Sequence, residues 1–393
     1  MSELSRKRSS LLPSLLAVLA GAVYMVFFLA GESQMVIFGL LLGAGLVITA
    51  FKYLPTLDAV GESARDNPRA FSIAVVAGVL AVSLYFYDDP FVLFLVGTVL
   101  AYVLTCLGLN IQFGFVGILN FAGASFFGVG CYTAAILTKN TGVPHLLVIF
   151  LGGLMAALLG FIILIPVLKT RGHYAALVTI AFALLFKTFL EVNDTLGGPQ
   201  GLKSAGLSMF GWDFNQDIVI GSFEGCFYLG YIAVILLLLI LGFILARRME
   251  DSWVGLNMDA VRLDETVSAC FGQSIPRWKI TAFTIGNFYC GVAGAFYAMM
   301  LGYIAPTNFT FGDSLILLSI VILGGLGSMW GTVAATSIVI LIPEKFQVLQ
   351  EYRFLLFSAL VIAILLFRPQ GLLPRPLRSY ITLKSNSVKM VKK

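Results

Sequence analysis

The sequence predicts an all-α polytopic membrane protein: a bundle of about 10–12 transmembrane helices, some short or broken, with one amphipathic helix held outside the bilayer. Three observations carry this. Hydrophobic residues make up 59% of the 393 and charged residues only 11%, far below the roughly one quarter of a soluble domain. Mean hydropathy is +0.96. Apolar runs of about 20 residues, enough to cross a bilayer core of roughly 30 Å as a helix, recur along nearly the whole length. Membrane-spanning strands would instead show alternating segments of about ten residues.

The first run, 11–30, follows Arg6, Lys7 and Arg8; Ala20 and Ala30 match a cleavage site only loosely, and the run is long enough to span, so it reads as retained. Runs at 34–51, 71–87 and 91–109 follow. The next, 118–138, begins inside GFVGILNFAGASFFGVG, residues 114–130, where Asn120 and Ser125 add polar groups to a glycine-dense half of a span. Runs at 145–168 and 173–191 come after it. The second holds Thr179 at span depth and, near its outer end, Lys187 and Glu191 at i, i+4. That pair is either an intrahelical bridge reaching the headgroups or part of an external mouth. After 227–246 and 280–304, two short runs, 314–326 and 329–342, flank the turn LGGLGSMWG at 323–331. Their shortness leaves broken or partly re-entrant helices as an alternative to full crossings. A run at 352–367 closes the series.

Charge sets the orientation. With the N-terminus inside, the inner segments hold 20 Lys and Arg residues and the outer ones 4, namely Lys139, Lys203, Lys345 and Arg353. Both termini are therefore expected in the cytoplasm. The net charge of +5 and the tail lysines Lys384, Lys389, Lys392 and Lys393 suit anionic membrane lipid rather than nucleic acid.

Several chemistries lack their residues. The five cysteines form no CxxC pair, and His145 and His173 are the only histidines, too few for a zinc site; no metal or cofactor is expected. No Asp or Glu lies at mid-span, which argues against a proton-coupled carrier but not a sodium-coupled one. No Gly-Lys dipeptide exists, so there is no phosphate-binding loop, and no HExxH or GxSxG marks an enzyme. Any ATP used would be hydrolysed by another chain.

One polar stretch interrupts the pattern: GLNMDAVRLDETVSACFGQ, 255–273. Leu256, Ala260, Leu263, Val267, Cys270 and Phe271 recur at helical spacing and predict a helix over 255–272 whose broad stripe buries against the ends of the spans. Gly272 is its stop. The opposite face, with Met258, Val261, Arg262 and Glu265, is expected to lie open unless a partner covers it. Asp259, Asp264 and Glu265 oppose Arg262, which disfavours simple headgroup adhesion.

Six stretches in order carry a resemblance. They are Asn110 to Gly117, Ala124 to Ala134, Thr195 to Gly201, the set Gly255, Ala260, Val261, Arg262, Asp264, Glu265 and Gly272, then Leu323 to Gly331, and Phe367 to Leu372. Together they resemble the permeases of bacterial and archaeal ABC importers for branched-chain amino acids, the LIV-type M subunit. The resemblance divides the chain into an N-terminal extension (1–90), a permease core (91–374) and a basic cytoplasmic tail (375–393). It implies an inner-membrane protein working by alternating access beside a second, homologous permease subunit, two cytoplasmic ATP-binding subunits and an external solute-binding protein. The helix 255–272 would be the coupling helix, docking on an ATPase through Gly255, Met258, Val261, Arg262, Asp264, Glu265 and Gly272. Asn120, Ser125, Thr179, Lys187 and Glu191 would serve the translocation path.

The chain departs from the family pattern at Ala122-Gly123, where Gly-His is common, at Leu184, where a Glu is common, and at Asp259, where a base is common. The cargo implied is therefore a branched-chain or other neutral or hydrophobic amino acid, with an amide or urea as alternative. A self-contained ion-coupled carrier is the competing class.

Overall fold

The computed structural model describes residues 12–31, 67–169, 174–209, 212–220 and 223–345, with isolated positions at 35–36, 38–40, 43, 352, 355, 358, 362, 366, 371–373 and 375. The runs expected at 34–51 and 352–367, and all of the tail except Arg375, fall largely outside the described residues.

Long apolar stretches become helices because, in lipid, each backbone amide must be satisfied within its own segment. They are α1 (Leu12–Ala30), α2 (Pro68–Tyr85), α3 (Pro90–Asn110), α4 (Gly123–Asn140), α5 (His145–Lys169), α6 (Tyr174–Val192) and α7 (Tyr228–Glu250). After the polar interruption, itself α8 (Trp253–Leu263) and α9 (Glu265–Cys270), come α10 (Ile275–Leu301), α11 (Phe311–Gly324) and α12 (Met329–Lys345). Among the described residues seven helices are long and apolar enough to cross a membrane, or eight if α6 and the 3₁₀ turns bent 89° from it count as one span. This is a multi-pass, all-helical membrane protein. Among the described residues the six strands are two- or three-residue pieces in hairpins, plus one long-range pair that sets Leu202 beside Ile304.

The centre of the bundle is α10, packed on α3, α4 and α5, while α1 and α2 pair at the periphery. Glycine allows the close approach. A Cβ on Gly291 of α10 would stand 2.5 Å from both the Gly152 carbonyl oxygen and the Ala156 Cβ of α5. On the α4 side, the Cys131 thiol donates to the Gly294 carbonyl at 3.1 Å. Small residues at helix seams are what lipid-embedded packing favours, since no hydrophobic force separates helix from tail. Cys106, Cys131 and Cys290 are buried among the helices and Cys270 is exposed.

Two local features depart from expectation. First, α3 does not stop near residue 109 but widens into a π-helical turn, Ile111–Val116, ended by Gly117 at φ +82°. The following span starts at Gly123 rather than 118, because Asn120 turns its side chain onto its own backbone and accepts from the Ala122 N–H at 2.9 Å. Second, the predicted helix 255–272 is two helices. Asp264 adopts extended backbone (φ −158°, ψ 112°), caps α9 by accepting from the Thr266 and Val267 amides, and so breaks the helix at its own position. Gly272 does end it, at φ +77°.

Candidate functional site: the amphipathic helix and the buried amides

Helices α8 and α9 sit at one end of the bundle, on the π turn and the ends of α7 and α10. Ser252 caps α8 by accepting from the Val254 amide. A Cβ on Gly255 would stand 2.7 Å from the Met249 carbonyl oxygen, so the glycine lets α8 fold back tightly on α7. The face that this fixes inward is the one expected outward. Met258 is 0% and Val261 1% exposed, whereas Leu263 is 85% and Phe271 82% exposed, with Trp253 and Val267 also open. The stripe assignment is therefore inverted. Its physical reason is that this chain covers Met258 and Val261 itself, leaving the Leu263, Val267 and Phe271 edge uncovered.

The charged members also point homeward. Arg262 donates Nη1 to the Gly114 carbonyl of the π turn. Burial lowers the pKa of its guanidinium, the neighbouring Arg375 adds to that, and Asp259 opposes it. Glu265 pairs with Lys279 at 2.7 Å while staying half exposed. Asp259, in α8, accepts both ends of the Arg375 guanidinium at 2.6 and 3.2 Å, which gives the unusual acid a partner within its own chain. Of the predicted docking set, only Asp264, Glu265 and Gly272 present exposed surface; Gly255, Met258, Val261 and Arg262 seat the helix.

The candidate path residues separate into two places. Lys187 and Glu191 pair at 3.5 Å on α6, each side chain more than a third exposed, so little energy is stored there. Asn120, Ser125 and Thr179 are buried inside the bundle. Thr179 Oγ1 accepts from the Phe121 amide at 3.2 Å and donates to the Ala176 carbonyl at 2.8 Å. Asn120 belongs to a cluster that the sequence reading missed. Its Nδ2 donates to Gln112 Oε1 (2.8 Å) and to Asn287 Oδ1 (3.1 Å), and Gln112 Nε2 donates to the same Asn287 oxygen (2.9 Å) and to the Phe283 carbonyl (3.2 Å). Three fully buried amides, from the π turn, the 117–122 link and α10, thus meet.

The cluster is not fully satisfied. Asn287 Nδ2 has no hydrogen-bond partner and lies where a Cβ on Gly160 would be; Ser125 Oγ, Tyr132 Oη, Thr284 Oγ1 and Asn110 Nδ2 are likewise buried without one. Such groups are rare in membrane interiors and gather at paths and sites. The signal in the sequence was present: Gln112 and Asn287 are amides at span depth, the same reason that selected Asn120.

The comparisons agree with this architecture. A family profile described as "Branched-chain amino acid transport system / permease component" matches residues 91–366. The chain is 32% identical over 350 residues, 86% of its own length and 81% of the other, to the high-affinity branched-chain amino acid transport system permease protein LivM of Escherichia coli (strain K12). It is 33% identical to the Salmonella typhimurium protein of the same name, with 73% of this chain and 71% of the relative covered. It is 24% identical to Salmonella typhimurium LivH, a permease protein of the high-affinity branched-chain amino acid transport system, with 75% and 97% covered. No solved structure matches.

Proposed function

The chain belongs to the branched-chain amino acid transport permease family, and from that premise we propose that it is the membrane subunit of an ABC importer carrying branched-chain or similar neutral amino acids inward. The observation that carries this reading is the uncovered edge of α8 and α9. Leu263, Val267, Phe271 and Trp253 are exposed apolar side chains along a helix pair already pinned from below by Met258, Val261 and Arg262. With no phosphate-binding loop in the sequence, ATP would be hydrolysed by another chain, and an ATP-hydrolysing partner fits this edge, with Asp264, Glu265 and Gly272 at its margin.

ATP hydrolysis belongs to two cytoplasmic subunits and selection of cargo to an external binding protein, with a second permease, similar to this one, completing the pore. That LivH proteins also match, at lower identity than the LivM proteins (24% against 32%), supports a pair of related permeases. The membrane is the bacterial inner membrane, with both termini in the cytoplasm, as the skew of 20 inner against 4 outer cations supports. Residues 1–90 are an extension of the core, which the start of the family match at residue 91 supports. Asn120, Gln112 and Asn287, with Ser125 and Thr179, supply neutral hydrogen-bonding groups that suit a zwitterionic cargo without fixed charge in the path.

Reconstitution in lipid vesicles tests this. The reading expects leucine-class uptake only when the second permease, the ATP-binding chain, the binding protein and ATP are all present. Uptake by this chain alone, driven by an ion gradient, would overturn it.

A further inference from the structure

Residues 371–373 and Arg375 lie against the glycine turn between α11 and α12. The Leu372 amide donates to the Leu323 carbonyl at 2.8 Å and the Leu373 amide to the Gly324 carbonyl at 3.3 Å. Gly371, at φ +82°, is so close that a Cβ would stand 2.5 Å from the Gly325 Cα. From this strap Arg375 reaches across to four other elements. Its Nη1 and Nη2 hold Asp259 of α8, its Nε donates to Glu250 at the end of α7 at 3.1 Å, and its guanidinium lies 4.9 Å from the Phe115 ring centre in the π turn. Its Cδ would stand 2.7 Å from a Cβ on Gly327. The three charged side chains are only 13 to 18% exposed.

We propose that Arg375 is a positioning residue that makes α8, the π turn and the glycine turn move as one body, so that a displacement of α8 by the ATPase reaches α11 and α12. The inference rests on the importer reading above. Arginine suits the role where lysine would not, because its planar fork binds one carboxylate with two nitrogens, a second with the third, and stacks on a ring at once. Asp259 is an acid because it is the anchor for this fork. The backbone bonds of 372 and 373 tie the strap to the turn independently of Arg375, so losing the side chain removes the strap's direct hold on α8 without freeing the strap itself, and leaves only the indirect route from the Gly327 amide through Asn110 and the π turn to Arg262.

The test measures ATP hydrolysed per amino acid imported by the complete reconstituted transporter. In Arg375→Ala, with the ATPase still bound, that ratio is expected to rise about tenfold, the scale of ordinary coupling between sites. Arg375→Lys, which keeps the charge but loses the fork, falls between. An unchanged ratio in Arg375→Ala would overturn the proposal, as would uptake and hydrolysis falling together in both variants. Should Arg375→Ala fail to assemble, the ratio in Arg375→Lys and in Asp259→Asn decides in the same way. Failure of the wild-type complex to import would instead contradict the importer reading.

Discussion

Replacing Asn287 by Leu keeps the number of side-chain heavy atoms and removes both halves of the amide. Its Oδ1 accepts two hydrogen bonds, from Gln112 Nε2 at 2.9 Å and from Asn120 Nδ2 at 3.1 Å. Interhelical bonds in a membrane average about 0.6 kcal/mol, so losing two costs about 1.2 kcal/mol. Neither donor is orphaned, because Gln112 Nε2 retains the Phe283 carbonyl and Asn120 Nδ2 retains Gln112 Oε1. Against that loss stands the removal of Asn287 Nδ2, a buried donor without a partner, which costs the wild type about 1–3 kcal/mol. The balance runs from neutral to about 2 kcal/mol of added stability. If the amide serves the path, a stable variant must still fail at transport. Thermal unfolding in lipid and ATP-driven uptake together provide the assay: the midpoint is expected to hold or rise while uptake falls about tenfold or more. A destabilisation above about 3 kcal/mol, with uptake lost only in proportion to folded protein, would refute the reasoning, because the cluster would then be structural.

Other substitutions probe the packing and the helix break. Gly291→Ala is expected to cost about 1–3 kcal/mol by overpacking against Gly152 and Ala156, whereas Gly21→Ala, in α1 with nothing within 4 Å, should gain up to about 1 kcal/mol; unfolding midpoints separate the two signs. Met258→Ala removes a fully buried side chain and should cost about 2–5 kcal/mol, while Leu263→Ala should leave the midpoint within about 0.5 kcal/mol. Asp264→Ala removes the cap of α9 and should cost about 1 kcal/mol, read as faster amide exchange over 265–270 than over α8.

The spans were legible because each is apolar through its own length, a property that needs no knowledge of its neighbours. The amphipathic helix at 255–272 was legible too, by its periodicity and its glycine stop. Which face it buries was not, because both faces carry apolar residues and the elements that choose between them, the π turn near Gly114 and the α7 end at Met249, are distant or irregular. The break at Asp264 had a local signal, an N-cap acid followed by Glu265, which the continuous apolar stripe overrode. Asp259 pairs with a residue 116 positions away, a contact no spacing rule reaches. Gln112 and Asn287 were visible as amides at lipid depth; only their convergence needed the fold.

Site-specific photocrosslinking from α8 and α9 in the assembled transporter is the most direct test of the central claim, that the chain meets its ATPase through the edge the bundle leaves open. A benzophenone side chain at Leu263 or Phe271 is expected to yield an adduct with the ATP-binding subunit, and one at Met258 or Val261 none. Adducts from 258 or 261 alone, with none from 263 or 271, would contradict it.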